Sequence, residues 1–205
     1  MIIKKLQTGV LGVNTYFLIN EKTKTAVIID GGEHYEIINN YAKELGIEIK
    51  AELLTHAHFD HAGNAKLFQD NGVKIYAPDK DYEKLVLGDT LSKDFGLNFQ
   101  TFTPNYKVYD GDMLQIEGFD IKVIATAGHT DGSVCYLVDN ALFTGDTLFN
   151  LSIGRTDFPT GSFEDMKSSL KKLFSLSKNY MVYPGHGEES TLNFERENNP
   201  YSRFI

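Results

Sequence analysis

Thr55-His56-Ala57-His58-Phe59-Asp60-His61 is the stretch on which the reading of this chain turns. Four strong metal-binding side chains, His56, His58, Asp60 and His61, fall within six residues, directly after the apolar stretch Ile47–Leu54. Three imidazoles and a carboxylate this close cannot all be buried as packing groups, because unpaired buried polar atoms are costly; a divalent cation satisfies them together. On a helix only two of the four would share a face. His56 to Asp60 are therefore expected on a loop at the C-terminal end of a strand, where irregular backbone aims alternate residues inward. A helix is expected to start over Ala62 to Phe68.

Working outward, each further candidate ligand follows a strand-like run and sits beside glycine. Ile121 to Thr126 leads to Gly128-His129-Thr130, Ala141 to Thr144 leads to Gly145-Asp146-Thr147, and Tyr180 to Tyr183 leads to Pro184-Gly185-His186-Gly187. Five of the six histidines are then accounted for. The sixth, His34, opens an amphipathic helix with no glycine hinge and reads as an exposed surface residue outside the site.

These residues resemble the metallo-β-lactamase-fold hydrolases: His-x-His-x-Asp-His at His56, His58, Asp60 and His61, then His129, Asp146 and His186 in order, spanning nearly the whole chain. Gly145 to Phe149, Gly154-Arg155-Thr156-Asp157-Phe158, Pro184 to Gly187 and Glu197 to Pro200 are similar to the glyoxalase II branch, in particular to its short, single-domain members. The resemblance implies two divalent metal ions, with His56, His58 and His129 on the first, Asp60, His61 and His186 on the second, and Asp146 bridging. It also implies that Asp60 and Asp146 position a metal-bridging hydroxide as nucleophile, and that Arg155 contacts the substrate as the basic residue used for glutathione. Zinc is the first expectation, although imidazole and carboxylate also accept iron and manganese. Three neutral nitrogens leave a zinc ion one open position, the mark of a catalytic rather than a structural site.

A metal-bound water has its pKa lowered to about 7, so a nucleophile exists at neutral pH without a strong base. That suits a thioester, since a thiol of pKa about 8.5 departs as thiolate while an amide nitrogen needs a proton. The function expected is hydrolysis of a small-molecule acyl-thiol, hydroxyacylglutathione-like or related. The alternatives are a mono-iron persulfide dioxygenase, which shares the metal loop and a Gly-Arg-Thr-Asp-Phe segment, and a hydrolase of another ester. A β-lactamase is disfavoured by the bridging Asp146, and a metal-stabilised binding module by the open ligand set. Asp157 stands where glyoxalase II enzymes carry tyrosine, Glu188 replaces an aromatic neighbourhood, and Ala127 and Asp131 replace prolines.

The fold implied by the family is an α/β αββα sandwich: two mixed β-sheets packed face to face with helices on both outer faces. Tyr16–Ile19 and Ala26–Ile29 read as a hairpin across Asn20 to Thr23. Ile37, Ile38, Tyr41, Ala42 and Leu45 repeat at helical spacing up to a Gly46 C-cap, and Ser162 caps an amphipathic helix through Phe163, Met166, Leu170, Leu173 and Phe174. Strand-then-aspartate occurs twice, at Asp30 and Asp146. Asp30 reads equally as a hydrogen-bonding support for the metal loop or as a turn former before Gly31-Gly32. Thr130 and Thr147 either orient their neighbours or satisfy turn backbone. Gly88 to Tyr106 is the least regular part and carries Phe95, Phe99, Phe102 and Tyr106; these line a ligand cavity as a lid or fold back onto the sheet, with packing preferred.

With 205 residues, one α/β domain over 1–205 is expected, without the C-terminal helical domain that helps longer relatives hold glutathione. The net charge of −8, from 28 acidic and 20 basic side chains, argues against nucleic acid. No signal-peptide core or membrane span is present in the sequence, so the cytoplasm is the default. Cys135, the only cysteine, lies in a strand-like run and reads as buried packing.

Overall fold

The computed structural model describes residues 1–205. The chain runs through β1 (Ile2–Thr8), β2 (Val13–Asn20), β3 (Thr25–Ile29), α1 (Tyr35–Glu44), β4 (Glu48–Leu53), α2 (Phe59–Ala62), α3 (Ala65–Asp70), β5 (Lys74–Pro78), α4 (Asp79–Leu87) and β6 (Tyr106–Val108). It continues through β7 (Met113–Ile116), β8 (Phe119–Ala125), β9 (Val134–Val138), β10 (Ala141–Gly145), β11 (Leu148–Phe149), β12 (Ser152–Ile153), α5 (Phe163–Phe174), β13 (Met181–Pro184), β14 (Ser190–Thr191) and α6 (Leu192–Asn198).

Two six-stranded mixed sheets, ordered β1-β2-β3-β4-β5-β6 and β14-β13-β10-β9-β8-β7, pack face to face, as the resemblance implies. In the central strands β2, β3 and β10 both faces are buried, so period-two alternation is lost there, whereas β8 alternates buried and exposed residues. In β2, Tyr16 and Leu18 enter the layer between the sheets, where they meet Val123, Tyr136 and Phe143 of the second sheet. Phe17 and Ile19 point the other way, into a layer closed by Ile38 and Ala42 of α1, Phe68 of α3 and Leu85 of α4. Across the second sheet, Ile124, Cys135, Leu142 and Val182 are covered by Met166, Leu170 and Leu173 of α5. Cys135 is thus a packing residue, its thiol pushed up to about 12 by burial.

Strand direction places the site. β3 and β4 are parallel, β10 and β13 are parallel, and β9 is antiparallel to both β8 and β10, so β8, β10 and β13 run the same way. The segments leaving their C-terminal ends carry Asp30, His56 to His61, His129, Asp146 and His186. The two sheets are stitched at this edge by an isolated bridge between Val13 and His186 and by the Asn14 N–H donating to the Gly185 carbonyl (2.7 Å). Ligands of open α/β sheets gather at such carboxyl ends for the same topological reason.

Three local expectations change. Asp60 and His61 stand not on a loop but on the single helical turn α2, because the extended His58 (ψ 149°) exposes its carbonyl to the His61 and Ala62 amides (3.1 and 2.9 Å). The next helix begins at Ala65 rather than Ala62: Gly63 passes so close to the Phe59 carbonyl that a Cβ would lie 2.6 Å from it, and the Asn64 amide turns aside to the Gly32 carbonyl (2.9 Å). Ile37 is 52 % exposed, since α1 starts at Tyr35 and turns Ile38 and Ala42, not Ile37, onto the sheet. The Ser162 cap is present, its hydroxyl accepting the Asp165 amide (3.2 Å).

Candidate metal centre

His56, His58 and His129 present ligand atoms within 4.8 Å of one another, and so do Asp60, His61 and His186, while His56, His61 and Asp146 form a third group between them. All seven residues expected from the sequence are brought together. His34 stays outside, exposed at the left-handed residue (φ 67°) that precedes α1.

Four of the five imidazoles have one nitrogen assigned elsewhere, leaving the other for the centre. His129 Nδ1 lies 2.7 Å from the Arg155 carbonyl and His186 Nδ1 lies 3.1 Å from the Leu11 carbonyl. His61 Nδ1 meets Asp30 Oδ2 at 2.9 Å, and His56 Nδ1 meets Thr55 Oγ1 at 3.1 Å. In these four, Nδ1–H as donor fixes the tautomer and leaves the Nε2 lone pair facing inward, the usual arrangement for metal-ligating histidine. His58 alone turns Nδ1 inward, 3.1 Å from His56 Nε2 and 2.8 Å from His129 Nε2.

Those three inward nitrogens cannot satisfy one another when all are unprotonated, and protonation of His56 and His58 is disfavoured. Burial first, then the neighbouring imidazoles, pushes His58 down to about 3 and His56 well below its ordinary value. The other half is opposite in charge. Burial alone would lower His61, but Asp146, Asp60 and Asp30 outweigh it and hold its proton affinity well above the ordinary value; His186 is raised too, against its own burial, by Asp60 and Asp146. Asp146, although buried, is held well below the usual carboxylate range by His61, His129 and His186.

Asp146 stands between the halves, with Oδ2 3.5 Å from His129 Nε2 and 3.7 Å from His186 Nε2, and Oδ1 3.3 Å from His61 Nε2. Oδ1 is buried without a hydrogen-bond partner. An orphaned carboxylate oxygen, three converging neutral nitrogens and a carboxylate-rich neighbour form a donor set that fits two divalent cations.

The site opens into a cavity of about 390 Å³. Leu11, Phe149 and Ile153 line one side, and Leu91, Phe95 and Phe158 the other, with Phe59, Arg155 and the ligand side chains completing it. Phe158 packs edge-on against His58 and His129 (5.7 and 6.2 Å between centroids), Phe149 against His186 (6.1 Å). Arg155 is at the rim, where its guanidinium is held bidentate by Asp157 (2.9 and 2.7 Å) and lies 4.1 Å over the Phe158 ring. The 88–106 segment divides its roles: Leu91 and Phe95 line the cavity, while Phe99 and Phe102 pack into the helix-covered layer.

The model of the metallo-beta-lactamase superfamily matches residues 8–186. The chain belongs to that superfamily. Its relatives include the hydroxyacylglutathione hydrolase GloC of Haemophilus influenzae, 36% identical over 191 residues and 90% of each chain. Among solved structures, the B3 metallo-beta-lactamase BLEG-1 superposes with a TM-score of 0.91 at 33% identity, covering 98% of this chain and 99% of that one. TTHA1623, solved in a di-iron-bound form, superposes with a TM-score of 0.86 at 31% identity, covering 97% and 99%. The metallo-β-lactamase assignment makes this chain a metallo-hydrolase of that superfamily, and no helix in it is long and apolar enough to cross a membrane.

Asp81 and Glu52 escaped the sequence reading. Both are fully buried carboxylates, Asp81 behind the ligand loops and Glu52 on β4 accepting the Gly31 amide (2.8 Å). Neither carries a local signal: each lies in an ordinary helix or strand, and only the tertiary fold gives it partners.

Proposed function

We propose that this chain is a dinuclear metal-dependent hydrolase of small acyl thioesters. The observation that carries the reading is the make-up of the cavity. Its titratable lining consists of His58, Asp60, His129, Asp146, His186 and Arg155, and every one except Arg155 belongs to the donor set. No separate acid is aimed at a leaving group. A thiolate needs none, whereas an amine does.

His56, His58 and His129 would hold one cation, Asp60, His61 and His186 the other, and Asp146 would bridge them. When bound, the cations supply charge that ionises a water at neutral pH and polarises the acyl carbonyl. The chain does the rest. Asp60 and Asp146, both facing the cavity, accept hydrogen bonds from the attacking water and direct it toward the acyl carbon. Arg155 contacts substrate at the rim by exchanging its exposed pairing with Asp157, which costs little at such a site. The apolar walls hold the acyl and thiol arms and exclude bulk water. The GloC relative supports the hydroxyacylglutathione class, and the di-iron form of TTHA1623 supports a two-metal site open to iron.

The test is thiol release from S-lactoylglutathione by the metal-reconstituted protein, with and without chelator. Chelator-sensitive turnover is expected. The likeness to BLEG-1 makes a β-lactam the necessary comparison, and a persulfide with oxygen uptake the second. Faster turnover of either would overturn the thioesterase reading.

A further inference from the structure

Asp81, in the first turn of α4, is fully buried and does not reach the cavity. Its Oδ2 accepts two hydrogen bonds from two different loops. One comes from the Ala57 amide (2.8 Å), the peptide between His56 and His58; the other comes from Thr130 Oγ1 (2.9 Å), next to His129. Oδ1 is paired with Lys84 Nζ at 2.5 Å, and that ammonium also reaches Asp131 and Thr160. The second loop is pressed against this turn of α4, since a Cβ on Gly132 would lie 2.6 Å from the Asp81 amide nitrogen.

A single oxygen ties the backbone between two of the three clustered histidines to the residue following the third, and it touches nothing adjoining Asp146 or His186. Asp30, unlike Asp81, reaches a ligand ring of the other half: its Oδ2 meets His61 Nδ1 (2.9 Å) and Thr55 Oγ1 (2.8 Å), and its Oδ1 accepts the Thr55 amide (2.8 Å), so it also touches the residue before His56.

We infer that Asp81 is a positioning residue that sets the spacing of His56, His58 and His129, and hence the affinity of that half for its metal independently of the half around Asp60, His61 and His186. This rests on the site being a two-metal centre, but not on any substrate. Removing the acceptor leaves the buried Ala57 amide unpaired and frees Thr130 Oγ1 to turn to Ser133 Oγ (2.8 Å), which lets the two loops drift relative to each other. Supports of this kind alter metal affinity about 10–100-fold.

The experiment is a zinc titration of the full chain against a chelating dye, comparing wild type, Asp81→Ala, Asp81→Asn and His58→Ala. Asp81→Ala is expected to weaken one of two zinc equivalents about 10–100-fold, the same one that His58→Ala removes, and to leave the other within about twofold. Asp81→Asn, whose amide oxygen can occupy the Oδ2 position, is expected to restore most of the loss. Equal weakening of both equivalents, or of neither, would overturn the inference. If Asp81→Ala does not fold by far-UV circular dichroism, Thr130→Val removes one of the two bonds; a several-fold loss confined to the same equivalent is expected, and no loss would overturn it. A wild-type chain that binds no zinc would sink the metal-centre reading itself, whatever Asp81 does.

Discussion

The two halves of the centre are built from the same residue types to opposite electrostatic ends. Around His58 three imidazole nitrogens converge, with burial lowering the proton affinity of His56 and His58, whereas around His61 two carboxylates of the centre and Asp30 raise that of His61. One half offers lone pairs without net charge; the other offers negative charge that calls for a cation. The difference teaches that the motif His-x-His-x-Asp-His is not one ligand loop but two. The extended segment through His58 sends its side chains to the three-histidine cluster, and the helical turn that starts at Phe59 sends Asp60 and His61 to the carboxylate-rich one.

Asp146 is where the comparison breaks most completely, since it is the only carboxylate in reach of histidines from both halves. Asp146→Asn is expected to lower kcat about 10²–10³-fold, with both zinc equivalents weakened in a dye-competition titration. A variant that keeps its rate would show that the halves do not act together.

Asp30→Asn sharpens the contrast from the other side. It removes the charge that orients His61 and is expected to weaken the carboxylate-rich site about 10–100-fold, a mirror of the Asp81 result. Asp30 also receives Thr55 Oγ1, which contacts His56 Nδ1, so the three-histidine half is expected to shift by less; metal titration reads both at once.

The halves should also answer pH in opposite directions once metal is chelated. His58 has its folded pKa depressed to about 3 from an ordinary 6.5, so the unfolded chain binds the proton and stability is lost as pH falls through that window. His186 is raised above 6.5, so its contribution is full below 6.5 and is lost as pH rises through the folded value. Thermal melts from pH 4 to 9 in chelator are expected to flatten on the acid side in His58→Asn and on the alkaline side in His186→Asn. The same limb flattening in both variants would contradict the division.

Glu52 gives the smallest effect on the metal centre, because its one hydrogen bond goes to the Gly31 amide and not to a ligand. Burial, eased only partly by the Gly31 amide, raises its carboxyl from 4.5 to about 8, and Oε2 has no partner. A raised carboxyl pKa means the folded chain holds the proton in that window, so wild-type stability falls as pH rises from 4.5 to 8. Glu52→Gln is expected to remove that slope and to gain about 1–4 kcal/mol at pH 8, with zinc binding unchanged. Denaturant melts at pH 5 and 8 check this, and a gain at pH 5 equal to that at pH 8 would contradict it.

The cluster of candidate ligands was legible because all seven follow strands, four of them carrying their signal in local spacing and three in adjacent glycine. His34 was separable for the same reason. What local pattern cannot show is where a helix starts inside a crowded loop, so the turn at Phe59 and the break at Gly63 were missed, as was the outward rotation of Ile37. Asp81 and most of the cavity walls were illegible on different grounds: Leu11, Phe149 and Phe158 come from separate segments and become a cavity only when the sheet edges meet. Arg155 reads from sequence as a substrate contact, yet its backbone carbonyl, which no side-chain pattern reveals, is what orients His129.

Thiol release from S-lactoylglutathione, measured as zinc is added stepwise to the chelated protein, tests the central claim most directly. The account expects little turnover at one equivalent and a steep rise as the second is bound, because water positioning requires both halves around Asp146. Full activity at one equivalent, or no thiol release at two, would contradict it.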